Sequence, residues 1–175
     1  MHRYLAFFAV GAFALSGCVA TAPKKVSIAS PFDPVLTKQM LEKGSNTIRG
    51  SALIRQRGGG VVTCAGQEVR LAPATPYSSE RVRAIFGFEE GGYYPAFGSP
   101  PISFEGEPPE YRALTVSTRC DAQGYFKFDQ VANGSFFVNT IITWKVSDYV
   151  TEGGSITQRV TLSGGETKEI VLSPR

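Results

Sequence analysis

The chain has 175 residues, 42% of them hydrophobic and 19% charged, the size and composition of one globular domain with an appendage rather than of a coiled coil or a disordered tail. A formal net charge of +3 is too small for a dedicated nucleic-acid binder, so no nucleic acid is expected as a partner. With 19 Gly and 11 Pro, the chain is rich in turn-formers, the profile of short strands joined by many turns.

The first residues read as an address. Residues 1–3 carry positive charge, residues 4–15 form an apolar run broken by Gly11, and Ser16, Gly17 and Cys18 follow. The run is shorter than the roughly 20 apolar residues of a membrane-spanning helix and ends in small residues, which predicts a secretory signal peptide over 1–17. Leu15-Ser16-Gly17-Cys18 resembles the lipobox of bacterial lipoproteins. That resemblance implies lipidation of the Cys18 thiol, cleavage before it, and acylation of the new amino group. Several acyl chains make a stable anchor, since each buried methylene contributes about 0.8 kcal/mol. In those families an Asp directly after the cysteine retains the protein in the inner membrane. Val19 stands there, so the resemblance implies the outer membrane, facing the periplasm of a Gram-negative cell.

Residues 18–32 are small and polar, with Pro23, Pro31 and the pair Lys24 and Lys25, and are predicted to form a flexible tether. Asp33 as N-cap, Pro34 at the first helical position and Gly44 as a stop predict one short helix within 33–45.

From residue 46 to 175 the pattern changes to period two. Over 47–55, Ile48, Gly50, Ala52 and Ile54 share one side, while Arg49, Ser51, Leu53 and Arg55 share the other, as in a half-buried strand. Further strands are predicted around Val69 and Leu71, over 81–86, and over 111–118, 125–128, 135–146, 155–162 and 166–172. Turn signals separate nearly all of them: 121–124, Asn133-Gly134, Gly153-Gly154 and Gly164-Gly165. Pro73 and Pro76 suggest that the strand before them ends there or lies along an edge. About seven strands with no helix between them predict an all-β antiparallel sandwich.

Asp121, Gly124, Phe126, Phe128, Val131, Gly134, Phe136 and Val138 occupy the positions of the motif of the carboxypeptidase regulatory-like family, a transthyretin-like (prealbumin-like) sandwich. This segment resembles that family, and the resemblance extends over roughly residues 46–173, departing from it in a long insertion before Tyr111. It implies a platform that spaces, scaffolds or binds, and it brings no catalytic residues. The motif aromatics are expected in the core.

With Cys18 lipidated, Cys64 and Cys120 are left in a compartment that permits disulfides. They are expected to pair, with buried free thiols as the alternative. Signal cleavage would remove His2, the chain's one histidine, which excludes a Ser/His/Asp triad, a Cys/His dyad and every His-bearing zinc site. No phosphate-binding glycine motif is present, Asp121, Asp129 and Asp148 lack calcium-loop spacing, and neither a metal nor a cofactor is expected. Glu89 with Glu90, or Glu105 with Glu107, could supply an acid and a base, but in a Gly/Pro-rich loop a carboxyl pKa is difficult to raise by burial. A non-catalytic protein is expected.

Residues 89–110 form a long predicted loop in which Glu89, Glu90, Glu105, Glu107 and Glu110 are interleaved with Tyr93, Tyr94, Phe97 and Phe104. Loops of this length tend to be functional or disordered. Two roles stay open for these rings: a recognition surface, or a cap over an edge of the sandwich. Arg49, Arg55, Arg57, Arg70, Arg81 and Arg83 precede the loop and could pair with its carboxylates. The expected function is a structural or protein-binding module with an envelope protein as partner. The alternative is a carbohydrate-binding module in which Tyr93, Tyr94, Phe97 or Trp144 stacks on a glycan, a role that a buried Trp144 would weaken.

Overall fold

Local chemistry sets the most regular part of the chain. The Asp121 carboxylate accepts hydrogen bonds from the backbone N–H groups of Gln123 and Tyr125, both at 2.9 Å, closing a turn that Gly124 completes at φ 87°. The strand that leaves this turn alternates strictly, with Phe126 and Phe128 buried and Tyr125 and Lys127 exposed.

The structure, a computed structural model, describes residues 22–174. Its elements are β1 (Lys24–Ser27), α1 (Pro34–Met40), β2 (Asn46–Arg55), β3 (Val61–Thr63), β4 (Glu68–Pro73), α2 (Pro76–Phe86), β5 (Gly91–Pro95), β6 (Ile102–Glu105), α3 (Pro109–Ala113), β7 (Val116–Arg119), β8 (Tyr125–Val131), β9 (Gly134–Ser147), β10 (Val150–Leu162) and β11 (Thr167–Leu172). The predicted signal peptide and Cys18 lie outside the described residues.

The fold is a β-sandwich. One sheet has the order β5-β10-β9-β4-β7 and is antiparallel throughout. In the other, β2 pairs with β11 in parallel and with β8 and β3 antiparallel. The core lies between them, built of Ile48, Ala52 and Ile54 from β2, Val69 and Leu71 from β4, Phe126 and Phe128 from β8, Phe136, Val138 and Ile142 from β9, and Ile156, Val160 and Leu162 from β10. Period two on each strand puts one full face of apolar side chains inside, and the expected motif aromatics are all there. Cys64 and Cys120 form a disulfide with Cα atoms 5.8 Å apart, joining the end of β3 in one sheet to the end of β7 in the other. Pro73 closes β4 beyond the reach of β7, which pairs only with Glu68 to Leu71, so its missing N–H costs no ladder bond on that side.

Four expectations are corrected. First, residues 81–86 are helical, not extended, and of the strand expected over 111–118 the first residues belong to α3 and only β7 from Val116 is extended. Thr75 and Ser78 form a capping box, Pro76 opens α2, and Gly87 ends it in a left-handed conformation at φ 82°. These are strong local stop and start signals that outweigh a short alternation of Val, Ala and Phe. Second, 89–110 is not one open loop: it contains β5, which pairs with β10, β6, which pairs with β1, and the start of α3. Third, the described part of the 18–32 tether is docked. Lys24 to Ser27 pair in parallel with Ile102 to Glu105, and the Glu80 carboxylate accepts from the N–H groups of Ala29 and Ser30, each at 2.8 Å. Fourth, β1, β5 and β6, together with β3 at Val61–Thr63, bring the strand count among the described residues to eleven against the expected seven or so. The short helix is as expected, with Asp33 Oδ1 capping the N–H groups of Val35 and Leu36 at 2.9 Å.

Helix α2 makes a third layer. It lies over the outer face of the five-stranded sheet, where Phe137 is buried and Gly92 of β5 leaves room for it. A Cβ at Gly92 would sit 3.4 Å from Cβ of Phe86.

Candidate functional site

The outward row of the five-stranded sheet is set by register. Arg70 of β4 pairs with Asn139 of β9, which pairs with Thr157 of β10, which pairs with Gly92 of β5. Because Val138 and Thr140 point into the core, Asn139 points out. Its Nδ2 lies 2.8 Å from Ser155 Oγ, 2.8 Å from Thr157 Oγ1 and 3.0 Å from the Ile156 carbonyl oxygen. A carbonyl only accepts, so this last contact fixes the amide nitrogen on that side and leaves Oδ1 turned the other way. With two hydrogens on Nδ2 and one directed to the Ile156 carbonyl, Asn139 shares the other between the Ser155 and Thr157 hydroxyls, each of which can still rotate to donate or accept.

These groups lie in the floor of a cavity of about 300 Å³ between the sheet and the helices, with Phe86, Phe137 and Tyr111 among its walls and Arg70 and Arg112 beside them. The cavity therefore combines an amide acceptor, two hydroxyls and aromatic faces. Rigid strands hold them, as in a small-molecule site with few oriented polar groups.

Tyr111 is held in place by a second constellation. Its ring packs edge-on against Tyr77 at 5.1 Å and Phe32 at 5.8 Å, and Phe32 packs on Tyr77 at 5.4 Å. The Arg81 guanidinium lies 3.6 Å from the Phe104 ring centroid and 4.5 Å from that of Tyr111. Its Nη2 is 2.8 Å from Glu107 Oε1, with the side chains 10% and 17% exposed. That contact lies off the line of a hydrogen bond, so Arg81 Nη1 and Glu107 Oε1 are buried without a hydrogen-bond partner. Arg112 reaches the other Glu107 oxygen at 3.0 Å. Burial raises the Tyr111 phenol pKa, with Arg81 partly opposing it, and the hydroxyl stays protonated at neutral pH.

The four rings singled out in the sequence do not form one patch. Tyr93 is half-buried and packs against the core, and burial followed by the Glu152 charge raises its phenol pKa. Tyr94 faces the opposite way and donates its hydroxyl to the Pro100 carbonyl. Phe104 lies under Arg81. Phe97 is 60% exposed. Tyr93 is thus a cap on the sandwich edge, while Phe97 is a surface residue. Trp144 is half-buried against the core, which weakens it as a stacking platform.

The four carboxylates considered as acid and base are engaged by cations. Glu107 pairs with Arg81 and Arg112, Glu89 with Arg83, Glu90 with Arg159 at 3.9 Å, and Glu105 with Lys25 at 3.8 Å. Two of the arginines expected to pair with this segment, Arg81 and Arg83, do so. Arg70 instead pairs with Glu68 at 2.7 Å.

A second concave surface lies at the four-stranded sheet: an open groove of about 670 Å³ bordered by Arg49, Ser51, Tyr125, Lys127, Glu169 and Val171. It is larger, but of its two aromatic lining residues Phe126 is buried in the core and Tyr125 is 60% exposed, and the Asp121 carboxylate in its lining is taken up by the backbone N–H groups of Gln123 and Tyr125. The sequence reading passed over Asn139, Ser155, Thr157, Phe86 and Tyr111. The available signal was the polar interruption of β9 and β10 on their outward positions, which alternation alone assigns to solvent.

No family model matches the chain, and no curated protein matches it at a significant level. Among solved structures the chain is similar to a crystal structure of a Pseudomonas aeruginosa protein named a "putative carbohydrate binding protein". The two share 26% sequence identity at a TM-score of 0.67, over 82% of this chain and 98% of that one. The sandwich fold is therefore common to both across nearly the whole of that protein.

Proposed function

We propose that the protein is a non-catalytic binding module of the cell envelope, anchored by lipid at Cys18, that takes a glycan in the cavity between α2 and the five-stranded sheet. The observation that carries this reading is the Asn139–Ser155–Thr157 network, in which the Ile156 carbonyl fixes the amide so that Oδ1 is presented beside two hydroxyls able to donate or accept. Sugars present dense, alternating donors and acceptors on rings whose C–H faces pack on aromatic side chains. Phe86 and Tyr111 line the cavity and supply such ring surface here. The similar Pseudomonas protein, named for carbohydrate binding, supports the same ligand class. The half-burial of Trp144 weakens its own part in a glycan site, so the reading rests on this cavity.

Asn139→Ala tests it. The variant is expected to lose retention on the oligosaccharide that the parent protein binds in an array screen, while its melting temperature stays within a few degrees. Unchanged retention would overturn the reading. The anchor and the outer-membrane, periplasm-facing location rest on residues 15–19. Cys18→Ser is expected to abolish lipid labelling and release the protein from membranes, and persistent labelling would refute the lipobox.

A protein partner is the second reading. It is favoured by the groove at the four-stranded sheet, where Tyr125 and Val171 are both more than half exposed.

A further inference from the structure

Three guanidinium side chains, those of Arg70, Arg81 and Arg112, line the cavity under α2, and no Asp or Glu does. Two carboxylates answer them from outside its lining: Glu68, on Arg70, and Glu107, shared by Arg81 and Arg112. Three positive charges against two negative leave one in excess beside the hydroxyl and amide groups of the floor. Arg112 gives its Nε and Nη2 to Glu107 Oε2 at 3.2 and 3.0 Å, and Arg70 its Nε and Nη2 to Glu68 Oε2 at 2.9 and 2.7 Å, which leaves the Nη1 end of each guanidinium for a ligand, with the Arg112 side chain 75% exposed. A guanidinium in that position presents a planar fork that suits a carboxylate or a phosphate bidentately.

We infer that the saccharide taken by this cavity carries an anionic group, which Arg112 and Arg70 receive while Asn139, Ser155 and Thr157 hold the sugar hydroxyls. This inference rests on the glycan reading and adds the charge of the ligand to it. Arg81, on α2, is a positioning residue: its stacking on Phe104 and Tyr111 and its contact with Glu107 hold α2 and the Tyr111 wall together.

The test is calorimetric titration of the folded protein with matched neutral and uronate disaccharides of the gluco, manno and galacto series, with the 6-phosphates of the same sugars as a third arm. The inference predicts that at least one acidic series binds on the order of tenfold more tightly than its neutral counterpart, with an advantage that shrinks as salt is raised. Whether the uronate or the phosphate arm responds identifies the source of the charge. Arg70→Gln alters an exposed side chain and is expected to keep the parent melting temperature, whereas Arg112→Gln takes both hydrogen bonds from Glu107 and is used only once a thermal melt shows it folded at the titration temperature. In either variant the acidic preference should fall while neutral binding is kept. Equal affinity for neutral and acidic sugars, or a preference that survives both substitutions, overturns the inference and leaves the glycan reading standing. Binding by none of the sugars overturns both.

Discussion

Residues 121–138 and residues 76–113 are two stretches of one sandwich whose structures have different origins. In the first, side chains within a few positions of each other decide the outcome: Asp121 caps its own turn, Gly124 supplies the positive φ, and Phe126 and Phe128 meet at 6.1 Å on one face. In the second, partners distant in sequence decide it. β5 exists because β10 offers it an edge, β6 because β1 does, and Tyr111 is fixed by Phe32 and Tyr77. The first stretch supplies core aromatics, and the second lays α2, Tyr111 and Arg112 over a cavity floor formed by β4, β9 and β10, so the candidate site is assembled by long-range contact.

That contrast can be broken most forcefully at the framework. Replacing Cys64 and Cys120 together with Ser removes a link across 56 positions and is expected to cost about 4 kcal/mol on the chain-entropy estimate. Urea unfolding measures it, and a loss below about 1 kcal/mol would mean that the two sheets do not depend on the staple. A smaller effect separates the aromatics of the second stretch. Tyr93→Ser removes a ring packed on the core and should lower stability by about 2 kcal/mol or more. Phe97→Ser, at an exposed position, should stay within about 0.5 kcal/mol. Equal effects in thermal melts would erase the distinction between cap and surface residue.

The smallest effect concerns the docked N-terminal segment. Hydrogen bonds from Ala29 and Ser30 hold the Glu80 carboxyl below its ordinary value of 4.5, so the contact stabilises the segment above that value and is lost as pH falls through the lowered folded-state pKa. Hydrogen exchange at Ala29 and Ser30 is expected to accelerate in that acid range before the core amides respond, and Glu80→Gln should remove this pH dependence.

The same contrast explains what could be read from the residues. The sandwich, the alternation of β2, the Asp33 cap, the disulfide and the placement of the motif aromatics follow from period, capping and turn chemistry, which are local. The helix α2 was equally legible at its ends, where Thr75, Pro76, Ser78 and Gly87 give both boundaries. The competing alternation at Val82, Ala84 and Phe86 drew the reading toward a strand. β5 and β6 were not legible, because Gly91 to Pro95 and Ile102 to Glu105 are short and flanked by Gly and Pro, and only pairing makes them strands. The cavity was beyond reach for the same reason: Asn139, Ser155 and Thr157 look like solvated outward positions until α2 and Tyr111 are laid over them.

The central claim, that a glycan occupies the cavity under α2 rather than the open groove at the opposite sheet, is tested most directly by mapping amide chemical-shift changes as a bound oligosaccharide is titrated into isotopically labelled protein. The account predicts shifts concentrated at Arg70, Asn139, Ser155, Thr157, Phe86 and Tyr111, with Asn139→Ala abolishing them. Shifts concentrated instead at Arg49, Ser51, Tyr125 and Lys127, and unaffected by Asn139→Ala, would contradict it.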